Sequence, residues 1–264
     1  MANAQSFWYE GEFQLSGLMT IAPYDHGLLY GATVFTTLRV KQQNVFSPET
    51  GWLLHRDRLT HSVLNFGWCL PDWDRVEMGL STMAKHFPVL RVTLFADGRE
   101  LITGRKLPAD LGYKQQFGIT AIVLPPEQYQ RSLPHHKTSN YLSSLQGKQY
   151  AQSLQADEAI LTNSQGHWLE TTTGNLWGWD GATFFTPPLT DSLLPGIKRQ
   201  QLIEHYHGTY PITEESWNNQ VIERLTAIAY INSVVELIPI TKVMIVIRDR
   251  AKPMWQSTNS FPSI

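Results

Sequence analysis

Apolar residues recur along the first half of the chain with two different spacings, which predict both strands and helices. Short runs rich in β-branched and aromatic residues predict strands at Phe7–Tyr9, Glu12–Leu15, Val34–Val40, Val89–Phe95 and Phe117–Leu124. The first two runs flank Glu10-Gly11, which indicates a hairpin turn. Helical spacing of the apolar residues predicts helices at Leu53–Leu64 and from the capping residue Asp72 to about His86.

The second half mixes the same two spacings in shorter elements. We expect helices at Leu142–Leu154, at Ile197–His205 and from near Glu214, with Thr213 as the N-cap of the last. The expected strands are Glu158–Thr162, His167–Glu170, Leu176–Trp179, Thr183–Thr186 and Val234–Ile247.

Residues 125–136 separate the two halves, because they hold three prolines and no apolar run. The chain is therefore expected to fold as two α+β lobes. The first comprises residues 1–124, an interdomain linker covers 125–136, and the second lobe comprises residues 137–264.

Composition excludes several classes of function. The 264 residues are 42% hydrophobic, and 21 basic against 23 acidic side chains leave a formal net charge of −2. That balance offers no basic face for a nucleic acid, and the apolar runs fall short of the ~20 residues that span a bilayer. The N-terminus has no pattern of a signal peptide, and the single cysteine, Cys69, excludes an internal disulfide. We expect a soluble, cytoplasmic protein without nucleic-acid or membrane partners and without a thiolate metal cluster.

The stretch from Lys137 to Lys198 carries the side chains with the clearest chemical meaning. Lys137 follows the predicted linker, and Glu170 ends a strand just before the hydroxyl-rich turn Thr171–Asn175. Leu194–Lys198 then leads into a helix, whose free N–H groups form a ready site for an anion.

This ordered set resembles the class IV (fold type IV) pyridoxal-phosphate enzymes. The family contains branched-chain aminotransferases, D-amino-acid aminotransferases and 4-amino-4-deoxychorismate lyases, and the resemblance runs from Tyr30 to Pro239. Further landmarks are Tyr30–Phe35, His55–Leu59, Ala156–Ala159, Phe185–Pro188 and Asn232–Glu236. The resemblance implies an α+β fold like that of D-amino-acid aminotransferase, with a small N-terminal α/β lobe and a larger, β-rich C-terminal lobe. It also implies a small-molecule substrate, no metal, and a homodimer in which Tyr30 or its neighbours reach the site of the other subunit.

The resemblance assigns a role to each residue that matches the family motifs. Lys137 binds the aldehyde of pyridoxal 5'-phosphate and later moves protons, and Glu170 faces the pyridine nitrogen. The remaining cofactor contacts, mostly to the phosphate, are Arg58, Ile197, Lys198, Asn232 and Ser233. Tyr30 and Arg91 are the implied substrate contacts.

Two positions depart from the family pattern. Lys198 stands where members usually have a threonine, so an ammonium replaces a hydroxyl near the expected phosphate. Ala96-Asp97-Gly98 stands where many relatives carry Arg-Gly. The family pattern is therefore not kept directly after the predicted strand that carries Arg91, an implied substrate contact.

Two features favour the lyase within the family. Thr36-Thr37 stands where branched-chain enzymes have Glu-Gly, and the resemblance makes Thr37 a proton donor to the leaving group. Asn140 follows Lys137 by three residues, a spacing similar to that of the lyases and D-amino-acid transaminases. The alternatives are an aminotransferase of D-amino-acid or branched-chain type and a non-enzymatic, aromatic-rich binding module, for which Trp177 and Trp179 are the candidate residues.

Overall fold

The computed structural model describes residues 6–15, 17–247 and 250–262, which form two compact units. The first unit contains the described residues up to Pro108 together with His136–Asn140, and the second contains Ala109–His135 and the described residues from Tyr141 onward. In the part of the chain that is described, no helix has the length and apolarity needed to cross a membrane.

The first unit is a five-stranded antiparallel sheet with two of its helices packed on one face. Its strands are β1 (Phe7–Tyr9), β2 (Glu12–Gln14), β3 (Thr33–Arg39), β4 (Val89–Phe95) and β5 (Glu100–Arg105), in the order β2-β1-β5-β4-β3. Its helices are α1 (His26–Tyr30), α2 (Trp52–Asn65) and α3 (Trp73–Ala84). The Asp72 carboxylate caps α3 by accepting from the backbone N–H of Arg75 at 3.1 Å, as the sequence predicts.

The core of the first unit lies between α2, α3 and one face of the sheet. Leu38 and Leu90, paired across β3 and β4, are buried there with Val63 of α2 and Leu80 of α3. Because side chains alternate along a strand, the neighbouring residues Phe35, Thr37 and Arg91 lie on the opposite face of the same two strands.

The second unit is built around a nine-stranded mixed sheet. Its strands are β6 (Ile119–Val123), β7 (Glu158–Thr162), β8 (Trp168–Thr171), β9 (Asn175–Trp179), β10 (Phe184–Thr186), β11 (Ile212–Glu214), β12 (Ala227–Asn232), β13 (Glu236–Ile247) and β14 (Arg250–Gln256). Its helices are α4 (Leu111–Phe117), α5 (Pro126–Tyr129), α6 (Leu142–Ser153), α7 (Ile197–Tyr206) and α8 (Asn219–Arg224), with a 3₁₀ turn at Leu189–Asp191.

An extra pairing between β8 and β9 closes part of this sheet into a ring. The order is β11-β10-β9-β12-β13-β6-β7-β8, β8 pairs again with β9, and β14 pairs with β13. Both ends of the β8–β9 connection, at Glu170 and Asn175, are therefore held by strand pairing, with those two residues directly opposite each other. The sheet thus fixes the two ends of the hydroxyl-rich turn singled out in the sequence.

Most predicted elements are confirmed to within two residues, but the helix expected from Glu214 is wrong. Thr213 and Glu214 belong to β11, which pairs in parallel with β10, and the next helix, α8, begins after its N-cap Asn218. The pairing partner supplies backbone hydrogen bonds that a local capping pattern does not reveal. Phe117, expected to open a strand, is the last residue of α4.

The division into units also differs from the predicted boundaries. Strand β6, placed in the first lobe by the sequence, pairs with β7 and β13 in the second unit. The segment around Lys137 belongs to the first unit, because the Phe35 N–H donates to the Lys137 carbonyl at 2.8 Å and the Ser139 N–H donates to the Thr33 carbonyl at 2.9 Å. The expected linker contains the short helix α5.

Candidate active site

Lys137 lies against the edge strand β3 of the first unit. Its ammonium nitrogen sits 4.8 Å from the centre of the Phe35 ring, and its backbone carbonyl accepts from Phe35 as described above. An ammonium group over an aromatic face is held by the electrostatic field of the ring. The predicted cofactor lysine is therefore half-buried, with a defined position against the sheet.

Thr37 and Arg91 share the face of the sheet on which Phe35 contacts Lys137. Thr37 lies directly opposite Arg91 in the β3–β4 pair, and Phe35 lies opposite Thr93. The Arg91 guanidinium stacks 3.6 Å from the centre of the Phe35 ring and donates to the hydroxyls of Thr93 at 3.3 Å and Ser139 at 3.1 Å. The fold thus brings together, on one surface, the predicted lysine, the predicted proton donor and a predicted substrate contact.

Thr36 points to the other face, where it meets Arg58 and His55 of α2. Arg58 Nη2 donates to Thr36 Oγ1 at 2.9 Å, and His55 Nδ1 lies 2.5 Å from the same oxygen. Burial, together with the positive charges of Arg58 and Lys137, holds the pKa of His55 well below its usual value of 6.5. The predicted phosphate ligand Arg58 is therefore oriented by a hydroxyl that sequence analysis left without a role.

Glu170 is a buried carboxylate at the end of β8 in the second unit. Arg131 Nη1 donates to Glu170 Oε1 at 2.6 Å, and the Leu194 N–H donates to Glu170 Oε2 at 3.2 Å. Arg131 lies in the proline-rich segment that shows no periodicity, so no sequence pattern singles it out. Both carboxylate oxygens thus have partners that set the orientation of the side chain.

The start of α7 is packed tightly against β9. Asn175 Nδ2 donates to the Leu194 carbonyl at 2.9 Å, and a Cβ added to Gly196 would lie 1.8 Å from Asn175 Oδ1. Gly196 is the N-cap of α7 and has no side chain to bond the first N–H groups. Ile197 is buried and Lys198 is half-buried at this helix start, where the sequence predicts a phosphate.

The turn between β8 and β9 is held from several sides. Glu158 is fully buried and accepts from the hydroxyls of Thr172 and Thr173, the latter at 2.6 Å. Asn232 Nδ2 donates to the Thr173 carbonyl at 3.2 Å, and Asn232 Oδ1 accepts from the N–H groups of Val234 and Val235 at 2.9 Å. Asn232 therefore fixes two turns with its side chain.

Two predicted residues have simpler surroundings. Ser233 is half-buried in the turn that Asn232 fixes, just after β12. Tyr30 ends α1, is 71% exposed, and packs its ring edge-on to His26 of the same helix. The predicted site residues thus form two groups, one in each unit.

The chain and its fold are similar to those of known proteins. The chain matches the family model for class IV aminotransferases over residues 33–243. It is 28% identical over 208 residues to a putative branched-chain-amino-acid aminotransferase of Methanocaldococcus jannaschii, covering 70% of this chain and 68% of the relative. It is 24% identical over 253 residues to the aminodeoxychorismate lyase of Bacillus subtilis, covering 84% and 81%. The structure of a hypothetical aminotransferase from Mycobacterium tuberculosis, in its PLP-bound form, has a TM-score of 0.79 at 18% identity and covers 90% of each chain.

The protein is therefore an enzyme with a mixed α and β fold. Its chain belongs to the class IV aminotransferase family, because the family model covers most of its length. The predicted family and fold class are confirmed.

Proposed function

We propose that the protein is a 4-amino-4-deoxychorismate lyase, which eliminates pyruvate from its substrate and leaves 4-aminobenzoate for folate biosynthesis. Pyridoxal 5'-phosphate is the cofactor expected of its family. The observation that carries the choice of a lyase is the position of Thr37 on the same face of β3 as Phe35, against which the Lys137 ammonium lies. The Bacillus subtilis relative, named an aminodeoxychorismate lyase, supports the same choice.

The residues present fit the cofactor group by group. Lys137 offers the amine for the aldehyde, and Glu170 offers a carboxylate for the ring nitrogen. The start of α7 offers N–H groups to the phosphate, and the absence of a side chain at Gly196 lets an anion approach the backbone. Arg58 offers a guanidinium, whose several N–H donors suit phosphate oxygens.

The elimination then assigns tasks to Lys137, Thr37 and Arg91. When bound, the cofactor withdraws electrons from the carbon that carries the substrate nitrogen. Once the substrate amine has displaced it from the aldehyde, Lys137 would remove the proton from that carbon, and Thr37 would donate a proton to the ether oxygen as the bond from the neighbouring ring carbon breaks. The proton taken up by Lys137 would then restore the Thr37 hydroxyl. The leaving group departs as enolpyruvate, which tautomerises to pyruvate, while the ring becomes aromatic. Arg91, held by Phe35 and Ser139, binds a substrate carboxylate.

Arg131 supports this arrangement through Glu170. Its hydrogen bond to Oε1, with the Leu194 N–H on Oε2, leaves the carboxylate few orientations. We infer that Arg131 keeps Glu170 aimed at the cofactor ring, as a positioning residue.

The proposed assembly is a homodimer. Leu28, Leu29 and Tyr30 of α1 are each at least half exposed, and the nearby Tyr24 is 84% exposed. Apolar side chains gathered in one short exposed segment are typical of a protein–protein contact. Such a contact fits the role expected for Tyr30 at the partner's site.

The first experiment tests cofactor and reaction together. We expect the purified protein to bind pyridoxal phosphate with a visible absorption band, and borohydride to abolish the band and trap the cofactor on Lys137. With aminodeoxychorismate and no keto acid, we expect equal amounts of pyruvate and 4-aminobenzoate. Lys137→Ala is expected to lose both the band and the activity.

A second experiment tests the proton donor. Thr37→Val is expected to lower kcat about 10²–10⁴-fold, the usual contribution of a positioned proton donor, while Thr37→Ser keeps most of the activity. Thr82→Val, on the exposed face of α3, serves as the control.

The main alternative is an aminotransferase, as the Methanocaldococcus jannaschii relative is named. Its signature would be a strict requirement for a keto acid and no 4-aminobenzoate from aminodeoxychorismate. That result would refute the lyase and leave the family assignment intact. A colourless protein that binds no cofactor would refute both enzymatic proposals and favour a binding module.

A further inference from the structure

His55 is a fully buried titratable residue to which the proposed reaction assigns no task. It lies in α2, three residues before Arg58, and its ring faces Thr36 of β3. Thr36 is also fully buried, among the apolar side chains that α2 packs against the sheet. A histidine and a threonine in such a core require a reason beyond packing, because burying polar groups is costly unless their hydrogen bonds are made.

The geometry settles which atom donates to which. Arg58 Nη2 can only donate, so Thr36 Oγ1 accepts from it at 2.9 Å. The hydroxyl has one hydrogen, and the nearest other partner is His55 Nδ1 at 2.5 Å. Thr36 therefore donates to His55 Nδ1, which must be unprotonated, and the imidazole carries its proton on Nε2.

A neutral ring is also what the surroundings favour. Among the described residues, His55 Nε2 is buried and has no hydrogen-bond partner. The charged groups that face the ring are the cations Arg58 and Lys137, which both oppose a positive imidazolium. A proton on Nδ1 would reverse the hydrogen bond and turn the Thr36 hydroxyl toward the Arg58 donor.

We propose that His55 is a positioning residue that acts through Thr36 on Arg58. The neutral imidazole holds the hydroxyl so that its oxygen faces the guanidinium, and this contact preorganises Arg58 to bind the cofactor phosphate. The inference rests on the proposed function, since it takes the role of Arg58 from there. Preorganisation increases affinity because the side chain loses less freedom on binding.

The test compares pyridoxal phosphate with pyridoxal, which has the same aldehyde and ring but no phosphate. Dissociation constants of both are measured by quenching of tryptophan fluorescence. Thr36→Val and His55→Leu are expected to weaken the affinity for pyridoxal phosphate about tenfold, which corresponds to about 1.4 kcal/mol. The affinity for pyridoxal is expected to change by less than about twofold. Arg58→Ala is expected to show the same selective loss of affinity for pyridoxal phosphate. Adding Thr36→Val to Arg58→Ala is expected to cause no further loss of that affinity.

Conservative variants separate this role from a merely structural one. Thr36→Ser keeps the hydroxyl, and His55→Asn keeps an acceptor near the position of Nδ1, so both are expected to bind like the wild type. Thr50→Val is the matched control, because Thr50 is a buried threonine of the same unit whose hydroxyl donates to the Asn44 carbonyl. It is expected to lower stability without changing the ratio of the two affinities.

Three results would overturn the inference. Wild-type affinity for pyridoxal phosphate in Thr36→Val or His55→Leu, with a selective loss in Arg58→Ala, would refute the relay and leave the proposed function standing. An equal loss for both ligands would show that the pair only stabilises the fold. Wild-type affinity in Arg58→Ala would refute the role of Arg58 as well.

Discussion

Removal of the charge at Glu158 is expected to destabilise the second unit strongly. Glu158 Oε1 accepts from the Thr172 hydroxyl and from the Ala159 N–H, the latter at 3.0 Å. Its Oε2 accepts from the Thr173 hydroxyl at 2.6 Å and from Lys148 Nζ at 3.1 Å. Four donors thus converge on a carboxylate that no solvent reaches, and this carboxylate ties strand β7 to the β8–β9 turn.

The magnitude of Glu158→Gln follows from these contacts. An amide NH₂ cannot accept, so two of the four hydrogen bonds are lost, each worth about 1.5 kcal/mol for a charged acceptor. The other two become neutral bonds and weaken by about 0.5 kcal/mol each. The Lys148 side chain is 31% exposed and recovers its hydration, which adds little further cost. The sum is about 4 kcal/mol, or a fall of about 10 °C in Tm for a unit of this size.

Urea unfolding at pH 7 and thermal unfolding measure this change directly. Glu204→Gln, on the exposed face of α7, removes an equal charge from a carboxylate that accepts from Gln200 Nε2 at 2.9 Å. It is expected to change the free energy of unfolding by less than about 0.5 kcal/mol. A loss below about 1 kcal/mol in Glu158→Gln would refute the reasoning, because the buried donors would then have found other partners.

Three further predictions concern affinity, pH and assembly. Gly196→Ala places a carbon 1.8 Å from Asn175 Oδ1 at the start of β9, so we expect at least a tenfold loss of cofactor affinity. Gly112→Ala in α4, whose added carbon has nothing within 4 Å, is expected to keep the wild-type affinity. Because the folded pKa of His55 is depressed, its contribution to stability is complete above the unfolded pKa of about 6.5 and is lost below it. In urea unfolding from pH 7 to pH 5, the free energy of unfolding of the wild type should therefore fall, below pH 6.5, by about 1.4 kcal/mol per pH unit more than that of His55→Asn. Parallel pH profiles of the two proteins would contradict the depressed pKa of His55. Replacing Leu28 and Leu29 by serine is expected to convert a dimer to a monomer in sedimentation velocity, and a monomeric wild type would refute the proposed contact.

Elements with a clear local pattern were predictable from the sequence. The β1–β2 hairpin, the cap at Asp72 and strand β7 all lie where hydrophobic spacing and turn residues put them. Strand β11 was not predictable, because Thr213 is both a good capping residue and a good strand residue, and only pairing with β10 decides between them. Arg131 was not predictable either, since its partner Glu170 is distant in sequence.

The sequence alone determined the order of the chemical groups and the family, because motifs such as the Lys137 and Gly196 segments are contiguous and keep their spacing. Tertiary packing selects which of two adjacent threonines shares a face with Lys137 and which one orients Arg58. The alternation of a strand separates Thr36 from Thr37 in either register, but the packing of α2 selects the face that becomes core. That selection depends on contacts between residues far apart in the chain, which local propensity does not encode.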